Sequence, residues 1–317
     1  MQENLSEQIH NDKSSSLTNG AANAASDAPA QRSLRDVCND AQRKIAAFLS
    51  EPDPGSEVLR AVQRQVRISL DVVDKALEEY GIPELSLSYN GGKDCLVMLI
   101  LILACLPRHF DTSNTPAPTT EPASTTTPVK AIPQPPRPPG SSPPGARRFP
   151  DSLQAVYVVS RHPFAEVDAF VDRTSAEYHL AVERIAQPMK PALHTYLAAR
   201  PAVRAVFVGT RRTDPHGESL THFDATDPGW PPFMRVHPVI DWHYAEIWAF
   251  IRHLGIPYCE LYDRGYTSLG GTTDTSPNPA LKRVAESTTD GKTKPQETFR
   301  PAYELMDDYE ERLGRDR

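Results

Sequence analysis

The chain has 317 residues, 39% of them hydrophobic, and is long enough to bury a sizeable core as one large domain or two small ones. Its formal net charge of −7 argues against non-specific binding to nucleic acid or to an anionic membrane surface. Any site for a polyphosphate must therefore be built locally.

The cysteines and the apolar runs indicate where in the cell the protein is located. Four cysteines lie far apart without metal-ligand spacing, which favours a reducing environment and predicts neither a zinc site nor a disulfide framework. The longest apolar run, Cys95 to Leu106, is 12 residues long, whereas roughly 20 are needed to span a bilayer. The acidic N-terminus lacks the features of a signal or transit peptide. We predict a soluble, cytoplasmic protein with no membrane or nucleic-acid partner.

The first part of the chain predicts a tail and two helices. Residues 1–32 are polar without an apolar period, so we expect a disordered tail before a single domain at 33–317. A capping box at Ser33 and Asp36 opens an amphipathic helix. A second helix begins near Leu59 and ends at Tyr80, with Gly81 at the C′ position.

The next stretch predicts a strand, a phosphate-binding turn and a helix. A short alternating run from Leu85 stops at Gly91 and Gly92, and an apolar helix spans Leu96 to Leu106. Glycine N–H groups and a helix N-terminus suit a phosphate anion. A proline-rich insertion at about 108–151 then interrupts the domain, and its composition is typical of an extended, disordered loop.

The remaining chain alternates strands and helices. Because the strands are apolar on both faces, we predict an α/β fold whose mostly parallel sheet is flanked by helices on both faces. Ligands in such sheets bind outside the carboxyl ends of the strands, where the Gly-Gly turn and residues 209–214 both fall. The predicted elements are a strand at Ala155–Val159, helices at Ala165–Tyr178 and Pro191–Arg200, a strand at Ala205–Gly209, and a helix capped by Asp241 and stopped by Gly255.

Two clusters of residues are candidates for phosphate chemistry. Residues 90–94, Asn-Gly-Gly-Lys-Asp, match neither a Walker A loop nor a dinucleotide fingerprint. They resemble the loop of enzymes that cleave ATP between its α and β phosphates, with Asn90 and Cys95 replacing the usual serines. Arg211 and Arg212 follow the next central strand, and guanidinium groups bind phosphate oxygens bidentately. An exposed basic turn is the alternative interpretation of the second cluster.

Together these motifs resemble the eukaryotic FAD synthases, FMN adenylyltransferases with a PAPS reductase-like (adenine nucleotide alpha hydrolase-like) fold. The resemblance covers roughly residues 50–317 apart from the insertion. It rests on Ser88–Cys95, Gly209–Pro215, Thr226–Arg235, Pro238–Trp242, Pro257–Gly270, Asn278–Pro279 and Phe299–Tyr303.

The resemblance implies an enzyme that converts FMN and ATP to FAD and pyrophosphate with Mg²⁺, by in-line attack of the FMN phosphate on the α-phosphorus. It implies that Asp94 holds the metal, that Arg161 lies near the adenine, and that Asp214, Trp230 and Arg235 face the flavin. Catalytic roles fall to Asn90, Asp94, Arg312 and Arg315; ligand binding falls to Ser88, Tyr89, Gly91, Gly92, Arg161, Gly209, Arg211, Asp214, Trp230, Arg235 and Arg300. By composition alone, the tail that carries Arg312 and Arg315 is a charged, solvated helix end.

Other functions stay open at this point. A non-catalytic nucleotide-binding or FAD-delivery protein would carry the same motifs. A sulfonucleotide reductase would share the fold but needs a reactive C-terminal cysteine, and the last one, Cys259, lies well before the end. A tRNA-modifying ATP pyrophosphatase would need a basic surface or metal-binding cysteines. The sequence identifies no protein partner.

Overall fold

The fold is built on a six-stranded sheet in the order β3-β2-β1-β4-β6-β5. It is seen in a computed structural model that describes residues 32–110, 148–283 and 297–315. All described pairings are parallel except that of β5 with β6, which confirms the predicted mostly parallel sheet. The strands are β1 (Leu85–Ser88), β2 (Leu153–Val158), β3 (Leu180–Ile185), β4 (Ala205–Phe207), β5 (Phe223–Ala225) and β6 (Met234–Val236).

Helices cover both faces of this sheet, as predicted. Alternate residues of one strand face opposite sides, so Ala155 packs into the larger core while Val156 packs with α5 on the other face. The larger core lies among the other helices. The helices are α1 (Leu34–Leu49), α2 (Glu57–Glu79), α3 (Lys93–Phe110), α4 (Ala165–Glu177), α5 (Met189–Ala199) and α6 (Tyr244–His253).

The ends of the helices test several predictions. The capping box of α1 is confirmed, since Asp36 N–H donates to Ser33 Oγ at 3.2 Å and Ser33 N–H to the Asp36 carboxylate at 3.1 Å. Gly81 does follow α2, but its φ of −74° shows that the chain leaves in an extended conformation rather than a left-handed cap. Asp241 as the cap of α6 is wrong: His243 occupies that position, and its N–H donates to Glu246 Oε2 at 2.8 Å.

Helix α3 is the central helix of the fold. It is apolar on nearly all sides and buried along most of its length, as expected for a helix enclosed by others. It continues past Pro107 to Phe110, whose ring centroid lies 5.3 Å from that of Phe149, so it is longer than predicted. No helix in the described ranges is long and apolar enough to cross a membrane.

Two predicted segments lie outside the described residues. The N-terminal tail is one, apart from Arg32, and the proline-rich insertion is the other, apart from its first three and last few residues. Two features of the fold were missed by the sequence reasoning, namely β3 and the β5–β6 hairpin. The hairpin falls within a polar stretch that carries no clear strand pattern.

Candidate active site

The phosphate loop, residues 88–95, connects β1 to α3 at the carboxyl edge of the sheet. Gly91 adopts a φ of +72°, and an added Cβ would lie 2.9 Å from Val171 Cγ2, so both conformation and space require glycine. Asn90 Oδ1 accepts from the Gly92 N–H at 2.9 Å and thereby fixes the turn. The first turn of the 18-residue helix α3 follows directly, with the positive end of its dipole at the loop.

A first cavity of about 390 Å³ opens beside this loop. It lies where the loop after β1 and the turn after β4 meet the C-terminal segment, residues 308–315. Eight of the predicted site residues line it: Ser88, Asn90, Gly92, Asp94, Gly209, Asp214, Arg312 and Arg315. The structure therefore brings three distant parts of the chain together at the predicted edge of the sheet.

A second cavity of about 810 Å³ adjoins the first. The two share Asp214, Pro215 and Arg312 in their linings. The second cavity is also lined by His216 and by Tyr309, whose side chain is largely exposed. The shared residues make the pair a continuous region in which two ligands could meet at Asp214 and Arg312.

A buried ion cluster, consisting of the side chains of Lys93, Asp94, Arg211 and Glu311, forms the wall behind the first cavity. Asp94 Oδ2 lies 2.9 Å from Lys93 Nζ, and Asp94 Oδ1 lies 2.8 Å from Arg211 Nε. Glu311 pairs with both cations, through Oε1 to Lys93 and Oε2 to Arg211. Lys93 and Arg211 have side chains only 2% and 0% exposed, so two cations and two carboxylates neutralise one another inside the protein.

The pKa shifts follow from burial and these pairs. Burial alone would raise the pKa of Asp94, but Lys93 and Arg211 hold it below its ordinary value. Burial would lower the pKa of Lys93, but Asp94 and Glu311 raise it above its ordinary value. Burial raises the pKa of Glu311, so its ionised form depends on the two cations that face it.

Arg211 does not reach the first cavity as the sequence led us to expect. It is absent from the described lining, and its guanidinium pairs with Asp94, Glu311 and Asp308. Arg211 thus lies inside the ion cluster, and its direct contact with phosphate stays a prediction. Tyr89 likewise belongs to the core, where its hydroxyl donates to Thr174 Oγ1 at 2.8 Å.

Four other predicted ligand-binding residues lie away from the described linings of both cavities. Arg161 is exposed in the loop after β2. Trp230 is 37% exposed in the turn that joins β5 to β6. Arg235 on β6 donates to the Ala225 carbonyl at 2.9 Å, and Arg300 donates to the Ala280 carbonyl at 3.1 Å. The structure therefore does not bring these four side chains into the region that the other residues form.

The cysteines offer no reactive thiolate near the site. Burial raises the pKa of the Cys95 thiol to about 12 and also raises that of Cys259. A thiol must ionise to act as a nucleophile, so both are inert near neutral pH. All four cysteines of the chain are free in the structure.

The sequence reasoning missed two residues that shape the site. Composition predicts a solvated tail around Glu311, yet this residue is only 4% exposed. No sequence pattern predicts a role for Tyr262, yet its hydroxyl accepts from the Lys93 N–H at 2.9 Å and the residue lines the first cavity. Neither has a local signal, since the side chains or N–H groups that they pair with lie 100 to 218 residues away along the chain.

The chain is similar in sequence to proteins of one family. The family model for the phosphoadenosine phosphosulfate reductase domain matches residues 84–196 and 184–277. A probable FAD synthase of Schizosaccharomyces pombe is 37% identical over 260 residues, covering 82% of each chain. A probable FAD synthase of Caenorhabditis briggsae is 31% identical over 80% of this chain, which spans 40% of that longer relative.

Among solved structures, the Candida glabrata FMN adenylyltransferase in complex with FMN and the ATP analogue AMPCPP is similar with a TM-score of 0.72. The identity is 26%, and the match covers 90% of this chain and all of that one. The fold and the site at its sheet edge thus define a PAPS reductase-like α/β domain. Within that class, the chain belongs to the FAD synthase family.

Proposed function

We propose that this chain is an FMN adenylyltransferase, which transfers AMP from ATP to the phosphate of FMN and releases pyrophosphate. The observation that carries the proposal is the first cavity, where the phosphate loop faces Arg312 and Arg315 across a gap at the carboxyl edge of the sheet. The S. pombe relative is named a probable FAD synthase, and the similar C. glabrata enzyme binds FMN and an ATP analogue.

The phosphates of ATP would lie against the phosphate loop. Asn90 Oδ1 is taken by the Gly92 N–H, so its amide nitrogen is the group left to donate to a phosphate oxygen. The N-terminus of α3 adds its positive dipole end. Arg312 lines both cavities, which supports a role for its cation between the phosphates of the two substrates.

The reaction needs charge neutralisation more than proton transfer. An oxygen of the FMN phosphate attacks the α-phosphorus in line, a new P–O bond forms, and the bond to the β-phosphate oxygen breaks with its electrons leaving on pyrophosphate. The attacking phosphate is already ionised near neutral pH, so no general base is required. The site must hold two mutually repelling anions in line, which suits N–H donors and arginines.

A Mg²⁺ ion would arrive with the ATP phosphates as part of the substrate. The described residues contain no group of three or more His, Cys, Asp or Glu side chains that could hold a metal by themselves. Of the three carboxylates that line the first cavity, Asp94 is the one in the phosphate loop, and its Oδ1 lies near Arg211 but forms no hydrogen bond among the described residues. One carboxylate plus substrate phosphates is the usual protein environment of Mg²⁺, so Asp94 remains the proposed contact.

The test is direct. Purified protein is incubated with FMN, Mg²⁺ and ATP labelled at the α-phosphate, and labelled FAD is expected. ATP labelled at the γ-phosphate should place its label in pyrophosphate only, and riboflavin, which lacks the attacking phosphate, should yield no product. Binding of FAD without its formation would support the delivery-protein alternative and contradict the proposal.

The location and the partners belong to the same proposal. Cytoplasmic location and the lack of a nucleic-acid partner are inferred from composition and from the net charge of −7. Fractionation of cells that express the tagged chain, with a check for co-purifying nucleic acid, tests both. Recovery in a membrane or organelle fraction would contradict the location.

A further inference from the structure

The C-terminal segment is anchored from within by one buried acid. Glu311 is 4% exposed, whereas Arg312, the next residue, is exposed and lines both cavities. Glu311 also lines the first cavity, so the buried acid and the exposed arginine of this turn border the same space. Because the two residues are adjacent in one turn, the contacts that fix Glu311 also limit where Arg312 can lie.

Glu311 joins two loops that come from different strands. Its Oε1 pairs with Lys93, the first residue of α3 after β1, and its Oε2 pairs with Arg211 in the turn after β4. Residues of both loops line the first cavity. The Glu311 carboxylate therefore ties the C-terminal segment to both loops.

The backbone of the segment is held at the same place. The Glu311 carbonyl accepts from Thr267 Oγ1 at 2.6 Å, and the Glu310 carbonyl accepts from Asn278 Nδ2 at 2.7 Å. Further along, the Ser276 N–H donates to the Gly314 carbonyl at 2.8 Å. These bonds hold the backbone of the segment against residues 267–278, whereas the Glu311 side chain connects the segment to the phosphate loop.

We propose that Glu311 is a positioning residue for adenylyl transfer, which acts by holding Arg312 and Arg315 over the first cavity. The inference rests on the proposed function, because it assigns these arginines to the phosphates. Glu311 lines the first cavity, but its two carboxylate oxygens pair with Lys93 and Arg211, so it acts through its neighbours and not on the substrates.

Glu311→Gln tests this, with Glu310→Gln as the matched control. The control makes the same charge change one residue earlier, where the described contact is through the backbone carbonyl. We expect Glu311→Gln to lower kcat/KM for FMN at least tenfold and to speed amide exchange in residues 308–315 at least tenfold. Glu310→Gln should leave both within twofold of the unmodified protein.

A double variant separates positioning from simple destabilisation. If Glu311 places Arg312, then Arg312→Ala should lower kcat/KM at least tenfold in the unmodified chain but less than twofold in the Glu311→Gln chain. The same fold loss in both backgrounds, or unchanged amide exchange, would overturn the proposal.

Two further outcomes have a defined meaning. If Glu311→Gln yields no folded protein, Glu311→Asp takes its place, because it keeps the charge on a side chain that is one methylene shorter. The same measurements and the same criteria then apply to Glu311→Asp. If the unmodified chain makes no FAD, the proposed function fails, whereas amide exchange in residues 308–315 still decides whether Glu311 anchors the segment.

Discussion

Asp94→Asn is the most informative single change, because Asp94 belongs both to the phosphate loop and to the buried ion cluster. The substitution removes a charge that faces Lys93 at 2.9 Å and Arg211 at 2.8 Å. Glu311 would then be the only carboxylate shared by both buried cations among the described residues. Removing one partner of a buried ion pair costs roughly 3–5 kcal/mol, against a typical total stability of about 5–15 kcal/mol. We therefore expect a folded but clearly destabilised protein.

A second variant separates this loss of stability from a direct effect on the reaction. Lys93→Met together with Asp94→Asn removes one cation and one anion from the cluster, which leaves Arg211 opposite Glu311. We expect the double variant to regain about 1–3 kcal/mol of the stability that Asp94→Asn loses, because the two residues are in direct contact. Urea unfolding of the four proteins in this cycle gives the free energies.

In the double variant, stability should recover in part, but the turnover number for FAD formation should not. If Asp94 contacts the phosphate-bound Mg²⁺, FAD formation should fall by roughly 10²-fold or more in both variants at saturating MgATP, a loss typical of a removed electrostatic group. Recovery of turnover together with stability in the double variant would show that Asp94 is only a counter-ion. Asp94→Asn with full turnover would refute its role altogether.

Three further predictions concern the C-terminal segment, the turn after β4 and a buried histidine. Truncation after Tyr309 removes Arg312 and should raise the KM for FMN or abolish FAD formation; unchanged kinetics would return the segment to a solvated tail. Gly209→Ala places a Cβ 3.0 Å from the Cys95 backbone nitrogen, so the turn must shift and turnover should fall by roughly 10²-fold. The control, Gly81→Ala, adds a Cβ that makes only ordinary contacts and should not change turnover. Burial lowers the pKa of His237 below its ordinary value of 6.5. As pH falls, the unfolded chain therefore binds a proton at this histidine before the folded chain does, and stability should fall below pH 6.5. His237→Asn should flatten that decline in unfolding free energies measured at pH 7.5 and 5.5; equal slopes would contradict it.

Much of the fold could be predicted because its central elements are buried on all sides. The run from Leu85 and the apolar helix after Gly92 are specified by local residues, and so are the capping box of α1 and the strand at Ala205. Strand β3 was missed because it lies at the edge of the sheet, where Glu183 and Arg184 interrupt the apolar pattern. A search for continuous apolar runs therefore finds the central strands and overlooks the edge.

The candidate site could be located from the sequence, but the direction of its charged side chains could not. The sequence predicts that the arginine after β4, Arg211, binds phosphate. Whether such a cation faces a ligand or a buried carboxylate depends on residues far along the chain, and Glu311 lies 218 positions after Lys93. No local pattern contains that information.

This internal pairing decides where the site obtains its positive charge. Lys93 and Arg211 are neutralised by Asp94 and Glu311, so the ion cluster adds no net charge to attract phosphates. Two anionic substrates must nevertheless be brought together in the first cavity. Among the described residues that line it, the remaining cations are Arg312 and Arg315, of which Arg315 also pairs with Asp274 at 3.5 Å, and the N-terminus of α3 assists them. Catalysis should therefore depend on the C-terminal segment as strongly as on the phosphate loop, although the loop is the part that the sequence makes conspicuous.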